Sequence, residues 1–187
     1  MKRIVVRRPG GPEALIVLEE PDPVPPAGKV RVRVSAAGVN YADVIVREGH
    51  YEAAKGLYPI TPGFEFAGTV DAVGDGVSVF KEGDRMFGFT RFGGRTFLPR
   101  LAWNWLRVPR FSPLELTGTN RSVMGFNVVH LTEKAELARE GFDAIAGWAR
   151  EGKLKKPPVT SFPAERAADA HQALESGETV GKLVLTF

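Results

Sequence analysis

Between Gly63 and Gly88 the chain reads GFEFAGTVDAVGDGVSVFKEGDRMFG, six glycines spread among valine, phenylalanine and alanine. Two architectures place glycines in this way: a phosphate-binding loop that opens a helix, or tight turns that join β-strands. The first needs G-x-G-x-x-G directly after a strand, with free backbone N–H groups at a helix N-terminus to hold pyrophosphate. Gly74 and Gly76 supply GDG, but the sixth position of the pattern falls on Val79, and VSVFKEGDR continues as another turn and strand. The glycines are therefore turn residues, at positions where the backbone takes positive φ.

Strand signals dominate the first half. KRIVVRR and EALIVLEE are short β-branched runs separated by PGGP, and PDPVPPAG is a loop because its prolines cannot sit in a hydrogen-bonded ladder. KVRVRVSAAGV alternates, which predicts Val30, Val32 and Val34 on one face and Lys29, Arg31 and Arg33 on a solvated one. NYADVIVREGHY fits a helical turn, and EFAGTVDAVG and DRMFGFTRF fit two more strands. After about Phe97 the character changes. Leu98, Leu101 and Trp105 have helical spacing, RSVMGFNVV reads as a strand, and Thr132 caps a helix whose stripe is Leu137, Phe142, Ile145 and Trp148. AERAADAHQALESG is a further helix stopped at Gly177, and VGKLVLTF closes the chain as a strand. The predicted class is α+β with an all-β front half.

Composition narrows the function. Of 187 residues, 43% are hydrophobic and 25% charged, as in ordinary globular proteins, and the net charge of +3 with scattered arginines argues against a nucleic-acid partner. With no cysteine there is no disulfide framework and no thiolate site. The histidines His50, His130 and His171 are far apart in sequence, so a tetrahedral zinc has no ligand set. His171 reads as a packing or surface residue of its helix. No apolar run reaches the length of a membrane span, and nothing resembles a signal peptide, so a cytoplasmic protein is the expectation.

Gly63, Glu65, Gly68 and Gly74 form G-x-E-x-x-G-x5-G, followed by EGDRM at Glu82 to Met86. This resembles the signature of the medium-chain dehydrogenases/reductases. AAGVNYADVIVREGHY, FPAERAADAHQALESGETVGKLVL and RLAWNW…NRSVMGFNV narrow the resemblance to the zinc-independent quinone oxidoreductases and vesicle amine transport protein-like reductases. It implies a GroES-like β-barrel catalytic domain with flanking helices. It also implies a Rossmann domain between the double glycine near Gly94 and RLAW, whose glycine-rich loop has no counterpart in this sequence. Roughly 100 residues or more are expected to be absent there. The expected organisation is residues 1–97 as the first part of the GroES-like domain, 98–149 as a remnant of an excised nucleotide domain, and 150–187 returning to the GroES-like domain.

The resemblance also proposes a site. Asn40 matches an asparagine near nicotinamide and substrate, and Tyr41, Asp43 and Tyr51 match positions lining the same cleft; Asn40 and Tyr51 are the catalytic candidates. His50, in a loop beside Tyr51, is read from that position as a further substrate-binding candidate with Tyr41 and Asp43. The resemblance assigns Gly125, Phe126 and Asn127, with Asn40, to the cofactor. Phe64 stands where zinc-dependent relatives carry a histidine, so no metal is expected. From the residues themselves, Asn40 can donate a hydrogen bond to an oxyanion and Tyr51 can donate or shuttle a proton, but a turn-forming Asn40 and a half-buried aromatic Tyr51 remain open. Asp43 reads as a structural partner and Glu65 as a carboxylate that satisfies backbone groups. The implied function is the substrate domain of an NADPH-dependent quinone or enone oxidoreductase, inactive alone, binding no cofactor tightly. The rival is a non-enzymatic GroES-like binding scaffold. Trp103, Trp105, Phe111 and Trp148 are candidates for an exposed surface that self-associates.

Overall fold

A computed structural model describes residues 1–89, 117–118 and 135–187. The chain forms two compact units, one of Met1–Thr96 with Pro157–Phe187 and one of Phe97–Lys156. In the first, β1 (Lys2–Val6) and β2 (Leu15–Glu19) form a hairpin around a 3-10 turn at Pro12–Ala14. A five-stranded sheet contains β3 (Val30–Val39), β4 (Glu65–Val73), β5 (Arg85–Phe89), β6 (Val159–Pro163) and β7 (Lys182–Thr186), in the order β5-β4-β3-β7-β6. Helix α1 (Tyr41–Arg47) follows β3, and α3 (Ala167–Glu175) links β6 to its parallel neighbour β7. In the second unit, α2 spans Ala135–Arg150.

The closing strand joins the front half through β3, where Gly38 pairs with Val184 and Val39 with Leu183. Leu183 and Leu185 are buried while Lys182 and Val184 on the other face are not, the period of two that KLVLT encodes. They pack with Ile4, Val39, Ala164, Ala167 and Ala170 in one apolar cluster, and Val6, Val46, Ala54, Ile60 and Phe64 form a second. Alanines at 167 and 170 let α3 sit close to the strands it spans.

The alternation in β3 is less regular than its sequence. Register shifts between Arg31 and Val32 and between Val34 and Ala36 interrupt the ladder with β4, and Val30, Val32 and Val34 are half-buried. Arg31 is not simply solvated. Its Nε donates to Asp71 Oδ1 at 2.8 Å, and Arg33 reaches the other Asp71 oxygen at 3.0 Å. That shared carboxylate neutralises part of the basic face.

The six glycines divide into two kinds. Gly63, Gly76 and Gly83 have positive φ, as expected of turns. Gly68, Gly74 and Gly88 are required for space instead: a Cβ on Gly68 would lie 2.3 Å from the Arg33 carbonyl oxygen. Gly74 and Gly76 join β4 to β5 and open no helix. The expected helix at Leu98–Trp105, the strand over Ser122–Val128 and the Thr132 cap lie outside the described residues.

Candidate functional site

The chain leaves β3 at Val39 and turns into α1 at Asn40, which has extended backbone geometry. The carboxylate of Asp43 folds back, and its Oδ2 accepts from the Asn40 backbone N–H at 2.8 Å, closing the capping box of the helix. Asp43 is 2% exposed. Burial pushes its carboxyl up to about 6, against the opposing pull of the Asn40 N–H and the Lys182 ammonium. It is a structural partner, as its position in the sequence suggested.

The Asn40 side chain meets a residue that the sequence reading did not single out. Lys182, the first residue of β7, donates from Nζ to Asn40 Oδ1 at 2.7 Å and to the Val39 carbonyl at 3.4 Å. The same ammonium forms an ion pair with Glu65 at the start of β4. This corrects the reading of Glu65 as a partner for backbone groups, because its carboxylate is matched by a full positive charge. An ammonium only donates, so it fixes which end of the carboxamide faces it. Asn40 Nδ2 is left on the other side, buried and without a hydrogen-bond partner. Pairing of β3 with both β4 and β7 brings these three residues together. One sequence gives no sign of that register, though the period of KLVLT does put Lys182 on the face opposite Leu183.

The other candidates surround this group unevenly. Tyr51 is half-buried on the second apolar cluster, its ring edge-on to Phe64 with centroids 5.5 Å apart. Phe64 is buried in that cluster, so the position following Gly63 is filled by packing. Tyr41 is 61% exposed at the first position of α1, and the exposed His50 imidazole pairs with Glu48 at 3.4 Å. No hydrogen bond or ion pair among the described residues joins either to Asn40 or Lys182. Gly125, Phe126 and Asn127 lie outside the described residues. Among those described, no three His, Asp or Glu side chains gather as a metal site.

Behind the group lies a cavity of about 70 Å³ lined by Asp43, Gly63, Val39 and His171. His171 projects from the buried face of α3 and is 3% exposed. Burial, reinforced by the Arg47 guanidinium, pushes its imidazole down to about 4, so it is neutral. The residue is packed inside, with its Nδ1 buried and, among the described residues, without a hydrogen-bond partner. Arg47, 1% exposed, clamps α1 to α3 through two 2.8 Å hydrogen bonds to Glu175.

Residues 26–96 match the alcohol dehydrogenase GroES-like domain. The chain is 42% identical to the quinone oxidoreductase of Rattus norvegicus over 95 residues, which are 50% of this chain and 29% of that protein. It is 49% identical to the synaptic vesicle membrane protein VAT-1 homolog of the same organism over 71 residues, 38% of this chain and 17% of that one. The matched stretch is thus under a third of either relative's length. Among solved structures, the human synaptic vesicle membrane protein VAT-1 homolog-like protein superposes with a TM-score of 0.79 at 18% identity, over 100% of this chain and 98% of that one. The Escherichia coli quinone oxidoreductase complexed with NADPH gives 0.68 at 18% identity, over 100% of both. The structural likenesses support the fold, and the sequence matches cover half of this chain or less. Residues 26–96 are thus an alcohol dehydrogenase GroES-like domain, and the chain is similar over half its length or less to quinone oxidoreductase and VAT-1 homologues.

Proposed function

We propose that this chain is the substrate domain of a zinc-independent, NADPH-dependent quinone or enone reductase, and that it does not turn over by itself. The observation that supports this reading is the Asn40 carboxamide. Its Nδ2 is desolvated and unpartnered, while its oxygen is held by Lys182. A fixed donor in a dry surround suits the oxyanion that develops when an enone or quinone carbonyl is reduced, and it needs no reorganisation to act. Tyr51, from the neighbouring apolar cluster, is proposed as a second donor, with Tyr41, Asp43 and His50 at the rim and floor of the cleft.

The described residues do not fit the pyrophosphate of a dinucleotide. The GDG turn joins two strands, and the first turn of α1 already faces the carboxylate of Asp43, which repels a phosphate. A few contacts at the nicotinamide end, from Asn40, must still offset the several kcal/mol of immobilising a ligand. We expect NADPH to bind the chain with a dissociation constant in the millimolar range or weaker, on the order of 4 kcal/mol at most. Isothermal titration checks this, and saturable micromolar binding to the monomer overturns it.

The decisive experiment is turnover with NADPH and a simple quinone, with and without a separately supplied nucleotide domain. Activity only in the mixture supports the reading, and activity of the chain alone overturns the inactivity. The rival, a non-enzymatic binding scaffold, draws its support from the lack of any glycine-rich phosphate loop in the sequence. It prevails if quinone binds and no mixture turns over.

A further inference from the structure

We propose that Lys182, anchored by Glu65 in the space above Gly38, is the positioning residue that sets the orientation of the Asn40 carboxamide and so decides that the site offers a donor rather than an acceptor. An asparagine side chain has two ends of nearly equal shape and opposite hydrogen-bonding character. Free in a cleft it can present either. Here the choice is made by charge. Lys182 Nζ lies 2.7 Å from one end of the amide, and an ammonium cannot accept, so that end is the oxygen and the opposite end is the NH2.

The arrangement is built into the sheet. Gly38 of β3 pairs with Glu65 on one side and Val184 on the other, so the side chains of Glu65 and Lys182 meet across it. A Cβ on Gly38 would lie 1.9 Å from Glu65 Oε1 and 2.7 Å from Lys182 Cε. The φ of Gly38 is not positive, so this glycine is there for the room it leaves. Glu65 keeps the ammonium at the strand junction, and Val39 O supplies a further acceptor on the same side as Asn40. The Asn40 amide thus has one end held from three strands' worth of structure and the other unpartnered in a desolvated position.

The inference rests on the proposed role of Asn40 for its chemical meaning, but its geometry can be tested separately. In the 15N-labelled full chain, the Asn40 side-chain amide should give one pair of proton resonances, slow to exchange with solvent. Lys182→Met should shift that pair and speed its exchange at least about tenfold, since the restraint is one charge-assisted hydrogen bond. Lys182→Arg should restore the pattern, which a merely structural role for the lysine stem would not require. Duroquinone, which lacks an addition site for lysines, is then titrated into each variant. It should shift the Asn40 amide in the wild type, bind about tenfold more weakly to Lys182→Met, and recover with Lys182→Arg. An Asn40 amide unchanged by Lys182→Met overturns the positioning role. An amide that responds to Lys182 in a chain where no variant binds duroquinone upholds the positioning role and overturns the substrate reading.

Discussion

Two helices of this chain each turn one set of side chains to a face, and those faces meet different surroundings. Helix α3 is short and its buried face is Ala167, Ala170 and His171, a poor hydrophobic stripe by composition. Helix α2 is longer, and its stripe of Leu137, Phe142, Ile145 and Trp148 is far more apolar, yet these side chains are 47%, 59%, 50% and 48% exposed. What separates them is connectivity. The α3 helix is the crossover between two parallel strands, so the chain itself lays it against the sheet, and small residues are what that close approach needs. A helical period tells which face is apolar. It does not tell what lies opposite.

The largest effect expected from this contrast comes from cutting the clamp on α3. The guanidinium of Arg47 is buried and gives two of its hydrogen bonds to Glu175. Among the described residues, Glu175→Leu leaves that charge with Glu48 and the Gly10 carbonyl. Removing one partner of a buried pair costs several times what a surface pair is worth, and we expect about 3 kcal/mol in chemical denaturation of the full chain. A loss below about 1 kcal/mol would mean that α3 is held by its alanine face alone. Surface pairs such as Lys153–Glu151, beside α2, are expected to contribute little when cut.

A pair of variants tests the buried polar groups on α1 and α3, and here the signs oppose. His171 has its folded pKa lowered to about 4, so the unfolded chain binds more protons between about pH 6.5 and 4, and stability falls as pH falls through that window. Asp43 has its folded pKa raised to about 6, so the folded chain binds more protons between about pH 3.8 and 6, and this group costs stability as pH rises through that window. The two slopes largely cancel in the wild type. The groups around them are Arg47 and Glu175 for His171, and Lys182 and Glu65 for Asp43. His171→Gln should gain stability relative to wild type as pH is lowered from 6.5 to 4, by up to about 3 kcal/mol. Asp43→Asn should gain relative to wild type as pH is raised from 3.8 to 6, by a similar amount on top of a constant loss from the cap. Denaturation at pH 4.5 and 7 measures both. Parallel pH profiles for wild type and either variant would refute the burial of that group.

These groups also show where the sequence could be read and where it could not. The strands and the two helices were legible because period is local. The turn reading of the glycine segment holds for Gly63, Gly76 and Gly83 and not for Gly68, Gly74 and Gly88, which leave room for neighbouring strands and side chains. Asp43 was legible as a structural partner because it stands three residues after Asn40 at a helix start, a local motif. Lys182 was not, since 142 residues separate it from Asn40, and only the pairing of β3 with β7 brings the two together. Gly38 was hidden for the same reason: its need is for space between side chains of two other strands, and no backbone signal marks that. Glu65 was expected to satisfy backbone groups, and its partner is instead Lys182, at the other end of the chain.

The smallest expected effect bears most directly on the contrast between the helices. Ile145 sits in the α2 stripe and is half exposed, so it removes only about half of its apolar surface from water. Full burial of such a side chain is worth about 1.5–3 kcal/mol, and Ile145→Ser should therefore cost about half of that, no more than about 1.5 kcal/mol, at low protein concentration. The equivalent truncation Val46→Ala, at a position wholly inside the second cluster, should cost about 2 kcal/mol, because a cavity remains. The ratio of the two is the measurement. If Ile145→Ser costs as much as Val46→Ala, the α2 stripe is covered in solution. Repeating the comparison across a hundredfold range of concentration then identifies the cover, since a loss that grows with concentration belongs to a second copy of the chain and a constant loss belongs to the chain itself.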